Sequence, residues 1–375
     1  MYYGQNGPEL RPGSALFSFL NVNNVDYWYV DFHNGNHLAD VKLFMPIEVM
    51  DRIRNGEVTL LLNNSHESYH EPVESIYEYF VRELNFPPKQ IRLLSESATI
   101  AQEIRKVATK YNTDTIRADW LRIFEYNVSK DVYMLTHTKL NTLTLKNYDK
   151  KFLNLNRRWR KHRPMLVGLL EINNLLDKGH VSFAANVDGE NWDSVWGFLD
   201  HSDNLNKTEL YNILTENKEQ LENIPDMYLD TPRLDINQVH VGSGLDHFYE
   251  DSYFSIVNET NYFKEIGEGI FLSEKVFKPV LKSHPFILAS RPNSLVKFRE
   301  LGYKSFSPYI DETYDTEEDD SKRLLMILEE TKRLVNLSET ELETFLIECK
   351  KICEHNYVLL TSKSYNEDDY ITPLI

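Results

Sequence analysis

Glu274 and Lys275 stand side by side in "FLSEKVFKPVLKSHPFIL", between a strand-like approach and an otherwise apolar helix. Ser273 is a residue type that caps helices, so both charges fall in the first helical turn. Backbone N–H groups without helical partners, together with the helix dipole, attract anions there. A lysine is disfavoured at that end and calls for a compensating negative charge, which a diphosphate would supply. A carboxylate beside it can take the two hydroxyls of a ribose, as acidic residues do in other nucleotide-binding sheets. Taken alone, the pair also fits an exposed ion pair of no chemical consequence.

A second concentration of charge lies upstream. Between Lys146 and Arg163, "KNYDKKFLNLNRRWRKHR" places eight Lys or Arg in eighteen positions. It follows a strand pattern and runs into a helix beginning near Pro164, whose N-terminus is again an anion site. Arg157, Arg158, Arg160 and Arg163 are the candidates for phosphate contact, with Arg157 at the strand end and Arg163 against the helix favoured. The planar guanidinium fork suits two phosphate oxygens at once. A solvated basic turn is the competing account.

The bulk numbers narrow the partners. The 375 residues suit two domains rather than one core. A net charge of −17 argues against a general DNA or RNA binder, so a basic island in this chain points to a small anionic ligand or one local polyanion contact. No run of apolar residues is long enough to span a membrane. "MYYGQNGPEL" has neither a basic start nor an apolar core, which argues against secretion and for a cytoplasmic setting. The two cysteines, Cys349 and Cys353, make neither a disulfide framework nor a four-ligand zinc site and read as packing residues. His33 and His37 in "DFHNGNHLAD" read as a glycine-bearing turn rather than a metal site. "DETYDTEEDD" reads as a solvated lead-in to a helix, and the aromatics of "DHFYEDSYF" as core.

These residues must be positioned by an alternating pattern. "EVTLLLNN" and "IRLLSES" are strands, and "PVESIYEYFVREL" and "ATIAQEIRKVATKY" are amphipathic helices. "KKFLNLN", "HVSFAAN", "SYFSIVNE" and "PFILAS" are strands of a second half, with a short one at "KSFSP". "RPMLVGLLEINNLLDKG" is a helix stopped by Gly179, "SEKVFKPVLK" and "NSLVKFRELG" are helices, and two charged helices close the chain near 321–336 and 338–355. Strand and helix in alternation argue for parallel sheets with crossover helices. The expected architecture is α/β: two Rossmann-type domains facing a central cleft, residues 1–149 on the acceptor side and residues 150–375 binding the ligand.

"SYFSIVNETNYFKEIGEGIFLSEKVFKPVLKSHPFILAS" resembles the donor-binding segment of the α-1,3-fucosyltransferases. Phe271, Leu272, Ser273, Glu274 and Lys275 occupy that family's Tyr-Ile-Thr-Glu-Lys positions, and Asn258 and Glu259 fall near its Glu-Asn pair. The stretch 152–320 also resembles uncharacterised glycosyltransferase-like proteins of large phages and viruses, through "EK-aromatic-KP", "HPFI" and "LNR…R.HR" segments; for a viral chain the setting would be the host cytoplasm.

The resemblance implies a GT-B-like fold and an inverting, metal-independent sugar transfer from a nucleotide sugar, with no further cofactor. Lys275 and an arginine of the basic passage would contact the diphosphate, and Glu274 the ribose. Phe271 stands where the family has tyrosine, so a hydroxyl contact is lost and the choice between a UDP-linked and a GDP-linked donor stays open. Inverting transfer needs a base. The resemblance places it in "NNSHESYHEP", with Glu67 first and His70 and Glu71 behind it; a polar loop capping the Pro72 helix is the alternative. A glycan-type acceptor is narrowly favoured over a hydroxymethylated pyrimidine in phage DNA, and a non-catalytic nucleotide- or glycan-binding module is the third reading.

Overall fold

The computed structural model describes residues 2–4, 26–31, 45–64, 72–134, 143–156, 158–187, 189–229, 245–263, 269–362 and 370–375. The chain forms two compact units. One comprises Met1–Tyr126, Gly267–Phe271 and Ser364–Ile375, the other Asn127–Ile266 and Leu272–Lys363. The division thus falls upstream of position 150, and the first unit takes in two later segments.

The first unit is a six-stranded sheet. Its parallel strands β1 (Tyr2–Gly4), β2 (Asp26–Asp31), β3 (Val58–Asn64), β4 (Ile91–Ser95) and β5 (Arg117–Leu121) lie in sequence order, and the terminal strand Ile371–Pro373 pairs antiparallel with β5. Helix α1 (Ile47–Arg54), helix α2 (Val73–Ile76) with its π-helical continuation Tyr77–Glu83, and α3 (Ile100–Tyr111) alternate with the strands; α4 (Ile123–Met134) follows β5. Right-handed crossovers between consecutive neighbours put the helices on one face. The packing agrees: Val58, Leu60 and Leu62 join Ile53, Ile76, Phe80 and Ile104 in one large cluster. Leu61 turns the other way, to Tyr27, Tyr29 and Leu94. This is why "VTLLLNN" shows no polar alternation, since both of its faces are covered.

Gly269–Phe271 belongs to this unit. Ala98 N–H donates to the Ile270 carbonyl at 2.9 Å, and Ile270 N–H to Thr99 Oγ1 at 3.1 Å. Gly269 sits at φ +92°, and a Cβ there would lie 1.9 Å from Ser97 Oγ, so only glycine fits.

The second unit is built on the parallel sheet β7-β6-β8-β9, with β6 Phe152–Asn154, β7 Gly179–Val181, β8 Phe254–Asn258 and β9 Phe286–Ala289. Helix α5 (His162–Ile172) carries the chain from β6 to β7, and α10 (Glu274–Leu281) from β8 to β9. Between β7 and β8 come α6 (Trp192–His201), α7 (Glu209–Glu216), α8 (Lys218–Glu222) and α9 (Asp246–Glu250), none of which was identified as a helix from the sequence. Helices α11 (Ser294–Glu300), α12 (Asp320–Val335) and α13 (Glu339–Ser362) follow β9. One core of Phe152, Leu166, Phe254, Val276, Phe286, Leu324 and their neighbours joins sheet and helices. Among the described residues no helix is long and apolar enough to cross a membrane.

Three expectations need correction. Helix α5 ends at Ile172, and Gly179 opens β7 at φ −118° instead of stopping the helix. The glycine is needed because a Cβ would lie 2.3 Å from the Phe152 ring. "KSFSP" is not a strand, because side chains take its backbone groups: Lys304 N–H donates to Asn356 Oδ1 at 2.7 Å and Phe306 N–H to Glu312 Oε1 at 2.6 Å. The acidic loop is not simply solvated, since Asp315 is buried and accepts from Leu295 N–H at 3.0 Å, while Asp319 caps α12. Cys349 and Cys353 are free and buried, with burial holding both thiols well above the ordinary range. Phe248, Tyr249, Tyr253 and Phe254 are core, and His33 and His37 lie outside the described residues.

Gly179→Ala is expected to destabilise the protein by about 2 kcal/mol, because the new methyl overpacks against Phe152. The check is the urea unfolding midpoint, which Phe152→Leu in the same chain should largely restore; an unshifted midpoint in the single variant would reject the close approach.

Candidate functional site at the carboxyl ends of β6 and β8

In the second unit the crossover after β6 leads to β7 on one side, and the crossover after β8 leads to β9 on the other. The crevice outside the carboxyl ends of β6 and β8 is therefore a topological switch point, the place where open α/β sheets bind ligands. Two helix N-termini open there, those of α5 and α10.

The strand ends carry asparagines. Asn258 Nδ2 donates to Asn156 Oδ1 at 2.8 Å, Asn156 Nδ2 to Asn154 Oδ1, and Asn154 Nδ2 to the Ile256 carbonyl at 2.9 Å. Asn156 N–H donates to Ser182 Oγ at 2.8 Å. These bonds fix where the backbone leaves the sheet.

Glu259 is the junction, fully buried one residue past β8. Its carboxylate accepts from Ser273 N–H at 2.9 Å, Ser273 Oγ–H at 2.6 Å and Thr260 N–H at 3.2 Å. Ser273 caps α10 by accepting from Lys275 N–H at 3.3 Å, as its position predicts. Lys275 Nζ donates to Glu274 Oε1 at 3.0 Å, Ser273 Oγ at 3.1 Å and Thr260 Oγ1 at 3.4 Å. From the other side, Arg163 Nη1 donates to the Arg158 carbonyl at 2.9 Å, and Nη2 to the carbonyls of Asn258 and Glu259 at 3.2 and 3.3 Å. The basic passage and the Glu–Lys helix start, more than a hundred positions apart in the chain, thus meet at one residue.

Burial pushes the Glu259 carboxyl above its ordinary range, with Lys275 and Ser273 pulling the other way. Burial acts to raise Glu274 too, but there Lys275 and Lys278 prevail and hold it down at about 2. His162, stacked on Tyr262 with centroids 4.8 Å apart, is held well below its usual range by burial and by Arg163, so the ring is neutral. Tyr262 also lies against Arg323, whose Cζ is 4.4 Å from the ring centroid. Arg323 in turn donates to the carbonyls of Ser290, Glu317 and Tyr262, which makes the turn after β8 rigid.

Against this stand four buried polar atoms with no hydrogen-bond partner among the described residues: Glu274 Oε2, Asn258 Oδ1, Asn261 Nδ2 and His162 Nε2. All belong to Glu259's neighbours in sequence or in space. An unsatisfied buried polar group costs roughly 1–3 kcal/mol, so each of these atoms calls for a partner, either water or a ligand.

The arrangement departs from the sequence reading in several respects. Arg163 does not present an open fork, because both of its Nη atoms donate to main-chain carbonyls and the side chain is 4% exposed. Lys275 has its compensating negative charge within the protein, in Glu274. The basic island is partly neutralised, since Lys161 pairs with Glu190 and Lys146, Lys150 and Lys151 donate to carbonyls. Arg158 is exposed, and Arg160 is half-buried with a 3.5 Å contact to the Trp159 carbonyl. Phe271 packs edge-on against Phe124 in the first unit, with centroids 5.5 Å apart. Arg157, Glu67, His70 and Glu71 lie outside the described residues. His162, Asn156, Asn261 and Thr260 were not singled out beforehand. The available signal was asparagine closing two apolar strands, "FLNLN" and "FSIVN".

No protein-family model and no curated protein sequence matches the chain. Among solved structures it is similar to a glycosyltransferase from Rickettsia africae ESF-5, at 9% identity over 96% of this chain and 81% of that one, TM-score 0.39. It is similar to the N-terminal domain of Candida albicans trehalose-6-phosphate phosphatase, at 10% identity over 94% and 70%, TM-score 0.43. A UDP-forming α,α-trehalose-phosphate synthase from Burkholderia vietnamiensis aligns at 12% identity over 93% and 73%, TM-score 0.40. At such values the likeness is one of general α/β architecture, and the chemistry has to be read from the side chains.

Two outcomes follow from these contacts. Arg163→Met should destabilise the protein by about 3 kcal/mol, because it leaves carbonyls of Arg158, Asn258 and Glu259 short of a donor in a buried place; chemical denaturation reads this. Lys275→Met should lose most stability near neutral pH. With Glu274 depressed from 4.5 to about 2, its contribution is present above 4.5 and fades as pH falls towards 2. The gap between wild type and variant should therefore narrow from about pH 7 to about pH 3.5; a gap constant with pH would mean Lys275 does not hold that carboxylate.

Proposed function

We propose that the chain is a glycosyltransferase that moves a sugar from a nucleoside-diphosphate donor to an acceptor hydroxyl, with inversion. The observation that carries this reading is the meeting of Lys275, two helix N-termini and the unpartnered Oε2 of buried Glu274 at the switch point of the second sheet. The resemblance of "FLSEK" and its flanks to fucosyltransferase donor segments supports it. A ribose hydroxyl is the right donor for Glu274 Oε2, which stays ionised because Lys275 and Lys278 overcome its burial. The diphosphate then lies over Lys275 and the start of α10, with Arg158 and Arg160 of the basic passage as the described candidates for further contact. Arg163, Asn258, Glu259 and Ser273 hold the floor.

In the transfer the acceptor hydroxyl attacks the anomeric carbon, and the bond from that carbon to the diphosphate oxygen breaks. The electron pair leaves with the nucleoside diphosphate. The cations and helix ends neutralise the charge that grows there, and no metal or further cofactor is required. Glu67 takes the acceptor's proton on this reading, with His70 and Glu71 in the same loop. The overall charge of −17 favours a glycan-type acceptor over DNA.

A thermal-shift comparison of UDP, GDP, CMP and dTDP tests the donor site. One nucleoside diphosphate should stand out, since a ligand at a hundredfold excess over Kd stabilises by about 2.7 kcal/mol. Lys275→Ala should abolish that shift; a full shift in the variant would sink the diphosphate assignment. Glu67→Gln should keep the shift and lower turnover by about 100-fold or more.

A further inference from the structure

A groove of about 940 Å³ lies elsewhere in the second unit, between α7, α12 and the C-terminal end of α5. Helix α5 has its first turn at the Glu259 junction and its last at this groove. Its 11 residues put the two about 16 Å apart. The groove is therefore not part of the donor site.

Its floor is apolar and only half-buried, made by Ile172, Ile213, Leu325 and Met326. Its α7 wall presents Glu209 and Glu216, which flank Ile213 at helical spacing, are exposed, and form no ion pair among the described residues. Asp311 and Glu317 add to the same rim. The cations of the opposite wall do not cancel these charges, because Lys332 is paired with Glu329 at 2.7 Å and Arg333 with Glu330 at 2.6 Å. Arg333 still acts on Asp311, and with six carboxylates against three cations the lining keeps a net negative charge. The C-terminal end of α5 also opens here, at Asn173, and a helix C-terminus favours positive charge.

We infer that this groove is a docking site for a basic, amphipathic peptide segment of a partner protein. An apolar floor between acidic walls rewards a segment that lays two or three apolar side chains inward and carries Lys or Arg on its flanks. A polyamine or a metal ion would leave the floor unused. At one α5 length from the donor site, such a segment would be a tether rather than a reactant. A transferase that recruits its acceptor or a scaffold through a basic segment could use it, but the docking does not depend on the activity.

The test is fluorescence anisotropy of the full chain with a labelled amphipathic Leu/Lys peptide of about fourteen residues and its Leu/Glu counterpart. The Leu/Lys peptide should bind and weaken with salt, and the Leu/Glu peptide should not. The double variant E209K/E216K, checked for an unchanged unfolding midpoint, should bind the Leu/Lys peptide about tenfold more weakly, and Met326→Glu should abolish binding while leaving any nucleotide-induced thermal shift intact. Equal binding by wild type and double variant overturns the inference. So does binding of spermine without the peptide, or light scattering that shows a dimer which the double variant breaks.

Discussion

A buried carboxylate is costly to desolvate, and the second unit accepts that cost at Glu259. The burden shows in the direction of its proton affinity, raised by burial although Lys275 and Ser273 oppose the shift. In return, one side chain fixes two turns of backbone: Ser273, through both its N–H and its hydroxyl, and Thr260, through its N–H. The same residue's carbonyl is held by Arg163. Replacing the carboxylate by an apolar group would strand the donors of Ser273 and Thr260 in a dry interior. The start of α10 is therefore positioned before any ligand arrives, and Lys275 and Glu274 with it. Preorganisation of this kind is what charge stabilisation in a transfer reaction needs, because donors that do not reorganise lose none of their strength.

The topology explains why that junction lies where it does. In the first unit the parallel strands follow sequence order, so successive crossovers all step the same way and no crevice opens between them. In the second, β6 and β8 are neighbours whose crossovers part to opposite sides. Only there can two helix N-termini approach one ligand. The charge distribution follows the same division of labour. A chain with net charge −17 concentrates cations between positions 146 and 163, and the structure then spends most of them on carbonyls and Glu190, leaving Arg158 and Arg160 of the described arginines nearest to solvent.

Much of the framework was legible in the amino-acid sequence, because it rests on local chemistry. Ser273 caps as its residue type demands, the apolar run at β3 is a buried strand, and β6, β8 and β9 lie within the expected stretches. What escaped depends on partners distant in sequence. Nothing near Gly179 reveals that Phe152 packs on its Cα, so a glycine after a helical pattern reads as a stop. Nothing near Arg163 reveals that two carbonyls ninety-odd positions away will take its donors, so an arginine at a helix start reads as a phosphate ligand. "KSFSP" has the composition of a strand, but Asn356 and Glu312 satisfy its backbone first. Helix α6 was legible too, since Trp192, Val195, Trp196 and Leu199 recur at helical spacing behind an Asn191 cap, and the pattern was not read.

The five residues "FLSEK" form one motif in the sequence and two pieces in space. Phe271 is anchored in the first unit, against Phe124, two residues after Gly269, where no other residue fits. Leu272 to Lys275 belong to the second, where the cap and the carboxylate lock them. The string therefore carries two separate constraints: an aromatic that one core buries, and a Ser-Glu-Lys turn that one helix end presents. An anchor of this kind is served by phenylalanine at 271. A position that serves as an anchor needs an aromatic body, and the hydroxyl matters only if the ring faces the ligand. The division in space also separates the two kinds of evidence in the motif. Phe271 speaks for the path of the chain, whereas Ser273, Glu274 and Lys275 supply the cap and the ion pair at the start of α10.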